Sequence, residues 1–206
     1  MSQAPQLRRT DKAMTDERVE EVVQRGTCGR LATVSADGWP YVVPLLYIWK
    51  KPVIYFHTAA VRGHLRQNID RDTRACFEID EAGEVFAYGR FECDTGTSYA
   101  SVIAFGRISL VPPGEQRVWF FDELIRKYAP DISGRPKSFY PRLHQIDVFA
   151  LTVERFTGKE TPLPAVSQQW PALDQTRAGR HSASKLSVAG DGCRLLEDAR
   201  SPSSPA

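Results

Sequence analysis

The stretch from Gly29 to Ile69, GRLATVSADGWPYVVPLLYIWKKPVIYFHTAAVRGHLRQNI, constrains the fold more than any other part of the chain. Arg30 to Ser35 is strand-like, and Asp37-Gly38 is a dipeptide that accepts the positive φ of a tight hairpin. Trp39 to Trp49 follows, rich in aromatic and β-branched residues. Lys50-Lys51-Pro52 turns the chain again, and Val53 to Thr58 is a short apolar run with His57 near its end. The pattern predicts three antiparallel strands in chain order that lead into a basic loop.

The flanking segments extend this reading. Thr15 has the chemistry of a helix N-cap, with Asp16 and Glu17 in the first turn, a Val19, Val22, Val23 stripe, and Gly26 at the far end. Met14 and Val19 are spaced as a hydrophobic staple. After the basic loop, His64 to Asp70 suits a short helix with Leu65 and Ile69 inward. Arg74 to Asp80 alternates as a fourth strand, while Glu81 to Gly96 shows no period and reads as loop. Tyr99 to Val111 is the longest β-like run, and Gly106 inside it marks a bulge, a bend or a close backbone approach. Glu115 to Tyr128 puts Val118, Phe121, Leu124, Ile125 and Tyr128 on one helical face, and Ile146 to Phe156 is a sixth strand.

Six mostly antiparallel strands with two or three peripheral helices, and no alternating βαβ pattern, predict a mainly β fold: a small barrel, not a doubly wound sheet. With 206 residues and 42% apolar content there is material for one core. The expected organisation is a flexible N-terminus over 1–13, a barrel domain over 14–160, and a disordered Pro/Ser-rich tail over 161–206.

Lysine and arginine total 27 against 25 acidic residues, a formal charge of +2. That balance argues against nucleic acid or a membrane surface as a partner, so any anion site must be local. No apolar run nears the roughly 20 residues of a spanning helix, and the first residues lack a signal-peptide centre. Four cysteines without metal or redox spacing fit reduced thiols, and the expected compartment is the cytoplasm. Cys28, Cys76 and Cys93 read as buried small hydrophobes, and Trp39, Trp49 and Trp119 as core or interface residues. His144 and His181 lack partners at metal-ligand spacing, and no metal is expected.

Two places carry chemistry. Arg62, Arg66 and the free N–H groups at a helix starting near His64 would suit a phosphate dianion, since charge and helix dipole act together. On residues alone, a solvated basic turn accounts for them equally well. His57 ends an apolar strand, where a satisfied core or rim histidine is the commoner role.

The phrases GRLATVSADGWPYVVPLLYIW, VIYFHTAAVRGHLRQNI, SYASVIAFGRI and LIRKYAP, in this order, resemble the pyridoxamine 5′-phosphate oxidase-like flavoproteins. The similarity is to the branch containing the 5-nitroimidazole resistance proteins and spans about Arg8 to Lys159. It implies an FMN-binding split β-barrel that works as a homodimer, with flavins in clefts between subunits. By position, Val43, Pro44 and Leu45 match residues lining the isoalloxazine ring. Phe56, His57, Thr58 and Ala59 match the strand end bordering the ring and ribityl chain. Arg62 and His64 match the phosphate site, and Ser101 the position from which the partner subunit reaches the flavin.

Many relatives carry lysine where this chain has Leu65, so the resemblance leaves phosphate charge to Arg62, His64 or Arg66. It further implies that His57 lies beside the flavin, where a group titrating near neutral pH can donate a proton. The expected activity is FMN-dependent reduction of a small, planar, electron-poor substrate of nitroaromatic or quinone type. The alternatives are a flavin- or haem-binding module without turnover, and a deazaflavin F420-dependent reductase. Pyridoxamine phosphate oxidation itself is disfavoured, because a Pro/Ser-rich tail replaces the basic, aromatic C-terminal segment of those enzymes.

Overall fold

The computed structural model describes residues 7–134 and 136–170. The first helix, α1 (Asp16–Arg25), begins where the sequence predicts, with the Thr15 hydroxyl accepting from the Arg18 N–H at 3.3 Å. Its Val19, Val22 and Val23 are buried, and the Gly26 N–H closes the last turn on the Val22 carbonyl. Before it, residues 10–12 form a 3-10 turn and Ala13 bridges to Lys159.

Seven strands follow: β1 (Gly29–Val34), β2 (Pro40–Leu45), β3 (Ile48–Lys50), β4 (Val53–Ala59), β5 (Arg74–Ala87), β6 (Thr95–Leu110) and β7 (Ile146–Thr161). Helix α2 (His64–Arg71) lies between β4 and β5, and α3 (Glu115–Tyr128) between β6 and β7. Every strand pair is antiparallel, in the order β2-β1-β5-β6-β7-β4-β3.

The β1–β2 hairpin forms as predicted, with Gly38 at φ +88° and the Ser35 N–H donating to the Trp39 carbonyl at 2.8 Å. The expected three-strand meander does not form. Its second run splits at Leu46-Tyr47, so that β2 pairs with β1 while β3 pairs with β4 at the other end of the sheet order. Two residues can join the two ends of a sheet order only if the sheet is rolled until its edges meet, which is the geometry of a split barrel. At that corner the Tyr47 backbone has no strand partner, and Tyr128 of α3 satisfies it. The Tyr128 hydroxyl accepts from the Tyr47 N–H at 3.1 Å and donates to its carbonyl at 2.9 Å. The Tyr47 hydroxyl donates to the Val23 carbonyl at 2.6 Å, tying α1 to the same corner.

The segment Glu81–Gly96, expected to be loop, is mostly strand. β5 runs on to Ala87 and β6 starts at Thr95, with a register shift between Ala82 and Val85. That bulge shifts the alternation and hides the strand period. At Gly106 the pairing with β7 shifts as well, and a Cβ there would lie 2.1 Å from the Thr152 carbonyl oxygen. β7 extends beyond the predicted Phe156 to Thr161. Of the expected tail, a 3-10 turn at Val166–Gln168 and a hydrogen bond from the Trp170 N–H to the Ala87 carbonyl are seen; residues 171–206 lie outside the described residues.

Two cores result. One fills the barrel with Leu31, Ile54, Phe56, Phe77, Ile79, Phe149 and Leu151, closed by the α1 valines and by Leu65 and Ile69 of α2. The other lies between α3 and the opposite face of β4 and β7, with Tyr55, Val148, Phe120, Phe121 and Leu124. The buried face of α3 is Arg117, Phe120, Phe121 and Leu124, whereas the predicted Ile125 is exposed. An apolar-periodicity reading skips a buried arginine. Arg117 is tolerated because its guanidinium donates twice to the Val111 carbonyl and once to that of Ile146. No helix among the described residues is long and apolar enough to cross a membrane.

Candidate functional site

Strand β4 delivers the chain through an exposed loop into α2. Gly63 at the N-cap gives no side-chain cap, and the Gln67 N–H makes a helical bond back to the Gly63 carbonyl at 3.1 Å. The N–H groups of the first turn therefore have no helical acceptor, unlike the first turn of α1, which Thr15 caps. An uncapped, outward N-terminus favours an anion through its dipole and its free donors.

The basic side chains around it are not free. Arg62 Nη2 lies 2.7 Å from Asp70 Oδ2, and Arg66 Nε 2.8 Å from Asp70 Oδ1. Arg66 Nη1 also reaches Asp147 Oδ2 at 2.6 Å, and the buried Arg117 approaches the same carboxylate at 3.5 Å. Three arginines thus alternate with two aspartates, which leaves a local excess of one positive charge. His64 is exposed, but its Nε2 is 2.7 Å from Ser35 Oγ and its ring sits edge-on to Tyr41 at 4.6 Å. These contacts hold the start of α2 against the β1–β2 hairpin, while Arg66 and Asp147 hold its flank to β7.

The other sequence-predicted residues fall in three places. Thr58 and Ala59 close β4 directly before the loop, and Thr58 is in register with Asp147. On β2, Val43 and Leu45 pack toward the barrel core, while Pro44 is exposed with Val42. β2 is an edge strand, where the N–H that Pro44 lacks is missed least. Phe56 is a core residue, its ring stacked on Phe149 at 5.4 Å. Ser101 is half-buried on β6, opposite Asp80 and Lys159. Within one chain, β1 and β5 separate that strand from β2, and β7 separates it from β4.

His57 stands apart from the arginines. Side chains alternate along β4, so His57 shares the α3 face with Tyr55, whereas Thr58 lies on the face of Asp147 and Arg66. The imidazole contacts Phe120 and Phe121, with centroids 5.7 and 5.4 Å away. Its Nδ1 is the one buried side-chain nitrogen or oxygen among the described residues without a hydrogen-bond partner, and burial lowers the histidine pKa below its ordinary value.

Sequence reasoning missed Ser35, Tyr41, Asp70, Arg117 and Asp147. Asp70 had a local signal, since it stands four residues after Arg66 on one helix face. Asp147 had none, because its pairing depends on β7 reaching β4.

The family model for pyridoxamine 5′-phosphate oxidase matches residues 15–160. The chain belongs to this family. The match covers the chain from Thr15, the cap of α1, almost to the end of β7, so α1 to α3, the barrel and the basic loop all lie within the matched range. Among solved structures, it is similar to a protein from Bacteroides thetaiotaomicron assigned to 5-nitroimidazole antibiotic resistance. That pair is 18% identical over 72% of this chain and 86% of the other, with a TM-score of 0.62. A flavocytochrome from Azotobacter vinelandii is 16% identical over 77% and 73%, with a TM-score of 0.64. An FAD-binding protein from Mesorhizobium loti is 22% identical over 73% and 97%, with a TM-score of 0.55. At these identities the family fold is what is shared. No curated protein matches the sequence.

Proposed function

We propose that the chain binds FMN and acts as an oxidoreductase on a small, planar, electron-poor substrate of nitroaromatic or quinone class. The observation that carries this reading is the uncapped N-terminus of α2 flanked by Arg62 and Arg66, set where a family barrel strand ends. A phosphate monoester dianion fits that combination of free N–H groups and guanidinium forks. The flavin-related names of the structural neighbours support the same cofactor class.

Arg62, Arg66 and His64 would hold the phosphate, Thr58 and Ala59 would border the ribityl chain, and Val43, Pro44 and Leu45 would line the ring. FMN, when bound, supplies hydride and single-electron transfer, which no side chain here can perform. Burial keeps His57 mostly neutral near pH 7, so its capacity to give a proton grows as the pH falls.

The reading includes a homodimer, in the cytoplasm. Val42 is 57% exposed and Val34 49% exposed, and they lie with Pro40, Pro44 and Ile103 on strands whose outer face carries many apolar groups. A second copy covering this face removes that surface from water. It also accounts for Ser101, which the strand order keeps from the loop of its own chain and which a partner would present to it.

A second reading, a flavin- or haem-binding module without turnover, draws support from the unpartnered Nδ1 of His57, an imidazole nitrogen of the type that ligates haem iron. The absorption spectrum of the purified protein separates these readings and a deazaflavin. Flavin bands, with FMN released on denaturation and reoxidation of the reduced protein by a nitrofuran or menadione, are the expected result. Protein that takes up no FMN at micromolar concentration overturns the proposal.

A further inference from the structure

We infer that Asp70 is an internal counter-ion of Arg62 and is displaced from it by the phosphate of an arriving ligand. The inference rests on the phosphate reading above and adds a residue that controls affinity.

The ion-pair chain is asymmetric. At its inner end Arg117 is buried and bonded to backbone carbonyls, and Asp147 is shared between Arg117 and Arg66. Arg66 has two carboxylate partners and a side chain only 25% exposed. At the outer end Arg62 is 67% exposed, and its one ion-pair partner among the described residues is Asp70. The chain is therefore fixed at Arg117 and loose at Arg62.

Asp70 competes with an anion for Arg62. It lies six residues beyond His64, about 9 Å along the axis of α2, so its carboxylate and an anion at the helix start are separate acceptors for one guanidinium. An exposed ion pair of this kind contributes little, because water screens it and two side chains are ordered to form it. A phosphate dianion offers Arg62 two charges and a bidentate acceptor, and it gains the α2 N–H groups at the same time. Exchange from Asp70 to phosphate is downhill for a charged ligand, whereas a neutral one leaves the pair intact. The loop has room for the swing, since Val61 is exposed and a Cβ at Gly63 would meet nothing within 4 Å. Arg66 stays anchored by Asp147, so the α2 flank need not move.

The test is titration of FMN and of riboflavin, which lacks the phosphate, into wild type, Asp70→Asn, Asp70→Ser, Arg62→Ala and Asp70→Asn/Arg62→Ala, with a circular dichroism melt of each. Asp70→Asn and Asp70→Ser are expected to bind FMN about three- to tenfold more tightly at low salt, with the gain shrinking as salt rises and riboflavin unaffected. The gain should vanish in the Arg62→Ala background. FMN affinity that falls or stays level in both Asp70 variants, while Arg62→Ala weakens it, overturns the exchange and makes Asp70 a support for Arg62. If wild type binds FMN and riboflavin equally and Arg62→Ala is silent, the phosphate reading itself fails. Wild type that binds neither flavin overturns both.

Discussion

The imidazole of His57 lies edge-on against the ring of Phe121, centroids 5.4 Å apart at an interplanar angle of 63°, with its buried Nδ1 facing no hydrogen-bond partner. A ring nitrogen left dry on the α3 face of β4 costs stability, because folding strips its water and returns nothing. His57→Phe keeps an aromatic ring among aromatic neighbours and removes the orphan atom. It is expected to raise stability by about 1 kcal/mol, read from urea unfolding at pH 7.5.

The same residue sets a pH dependence. Its folded pKa lies below the ordinary 6.5, so the unfolded chain binds the proton more tightly. Its contribution is fully present above 6.5 and is lost as the pH falls from there through the folded value. Wild type should therefore lose more thermal stability than His57→Phe between pH 7.5 and pH 5.5, and parallel melting curves would contradict this.

Cofactor retention and turnover should fail separately. Arg62→Ala removes a charge-assisted contact to phosphate and should weaken FMN binding by about 1.5–3 kcal/mol, roughly 10- to 150-fold. His57→Phe should leave the FMN dissociation constant near wild type while slowing substrate reduction by about 10²–10⁴-fold. Flavin fluorescence titration and stopped-flow reoxidation measure the two. A His57→Phe protein that reoxidises at the wild-type rate with every acceptor tried makes His57 a structural residue.

Lys127 is half-buried over the Tyr47 ring at 4.1 Å, and burial lowers its pKa to about 8. Its folded pKa lies below the ordinary 10.5, so its contribution is full above 10.5 and falls away as the pH drops through about 8. Lys127→Met carries no such penalty and should melt higher than wild type at pH 7, with the gap narrowing between pH 8 and 10. A constant gap across that range would assign the effect to packing alone.

Gly106→Ala tests the bend in β6. The new methyl would meet the Thr152 carbonyl, a backbone group of the neighbouring strand that cannot rotate away. The expected loss is at least about 1–3 kcal/mol by denaturant unfolding.

Val42→Asp places a charge on the exposed apolar face of β1 and β2. Light scattering should show a dimer for wild type and a monomer for the variant. A wild-type monomer at micromolar concentration with flavin bound rules out the dimer.

Local chemistry was legible wherever neighbours in sequence are neighbours in space. The Thr15 cap, the α1 valine stripe, the Asp37-Gly38 hairpin and the Leu65/Ile69 face of α2 all formed as read, since each depends on contacts a few residues apart. The same locality marked the basic loop and placed a helix N-terminus beside it.

Tertiary structure decided the rest, for reasons a linear pattern does not carry. The run Trp39 to Trp49 reads as one strand, yet it breaks at Tyr47 because Tyr128, far along the chain, supplies the hydrogen bonds that a strand partner would otherwise give. The period of Glu81 to Ala87 was hidden by a bulge, and the face of α3 was misread because a buried arginine bonds to carbonyls on two other segments. In the site, the sequence showed arginines near a helix start but not that Asp70 and Asp147 pair with them, nor that alternation along β4 turns His57 to the opposite face. Residue identity determined which charges and donors are present. Only the rolled sheet, by choosing which strand lies beside which, decided which of them meet.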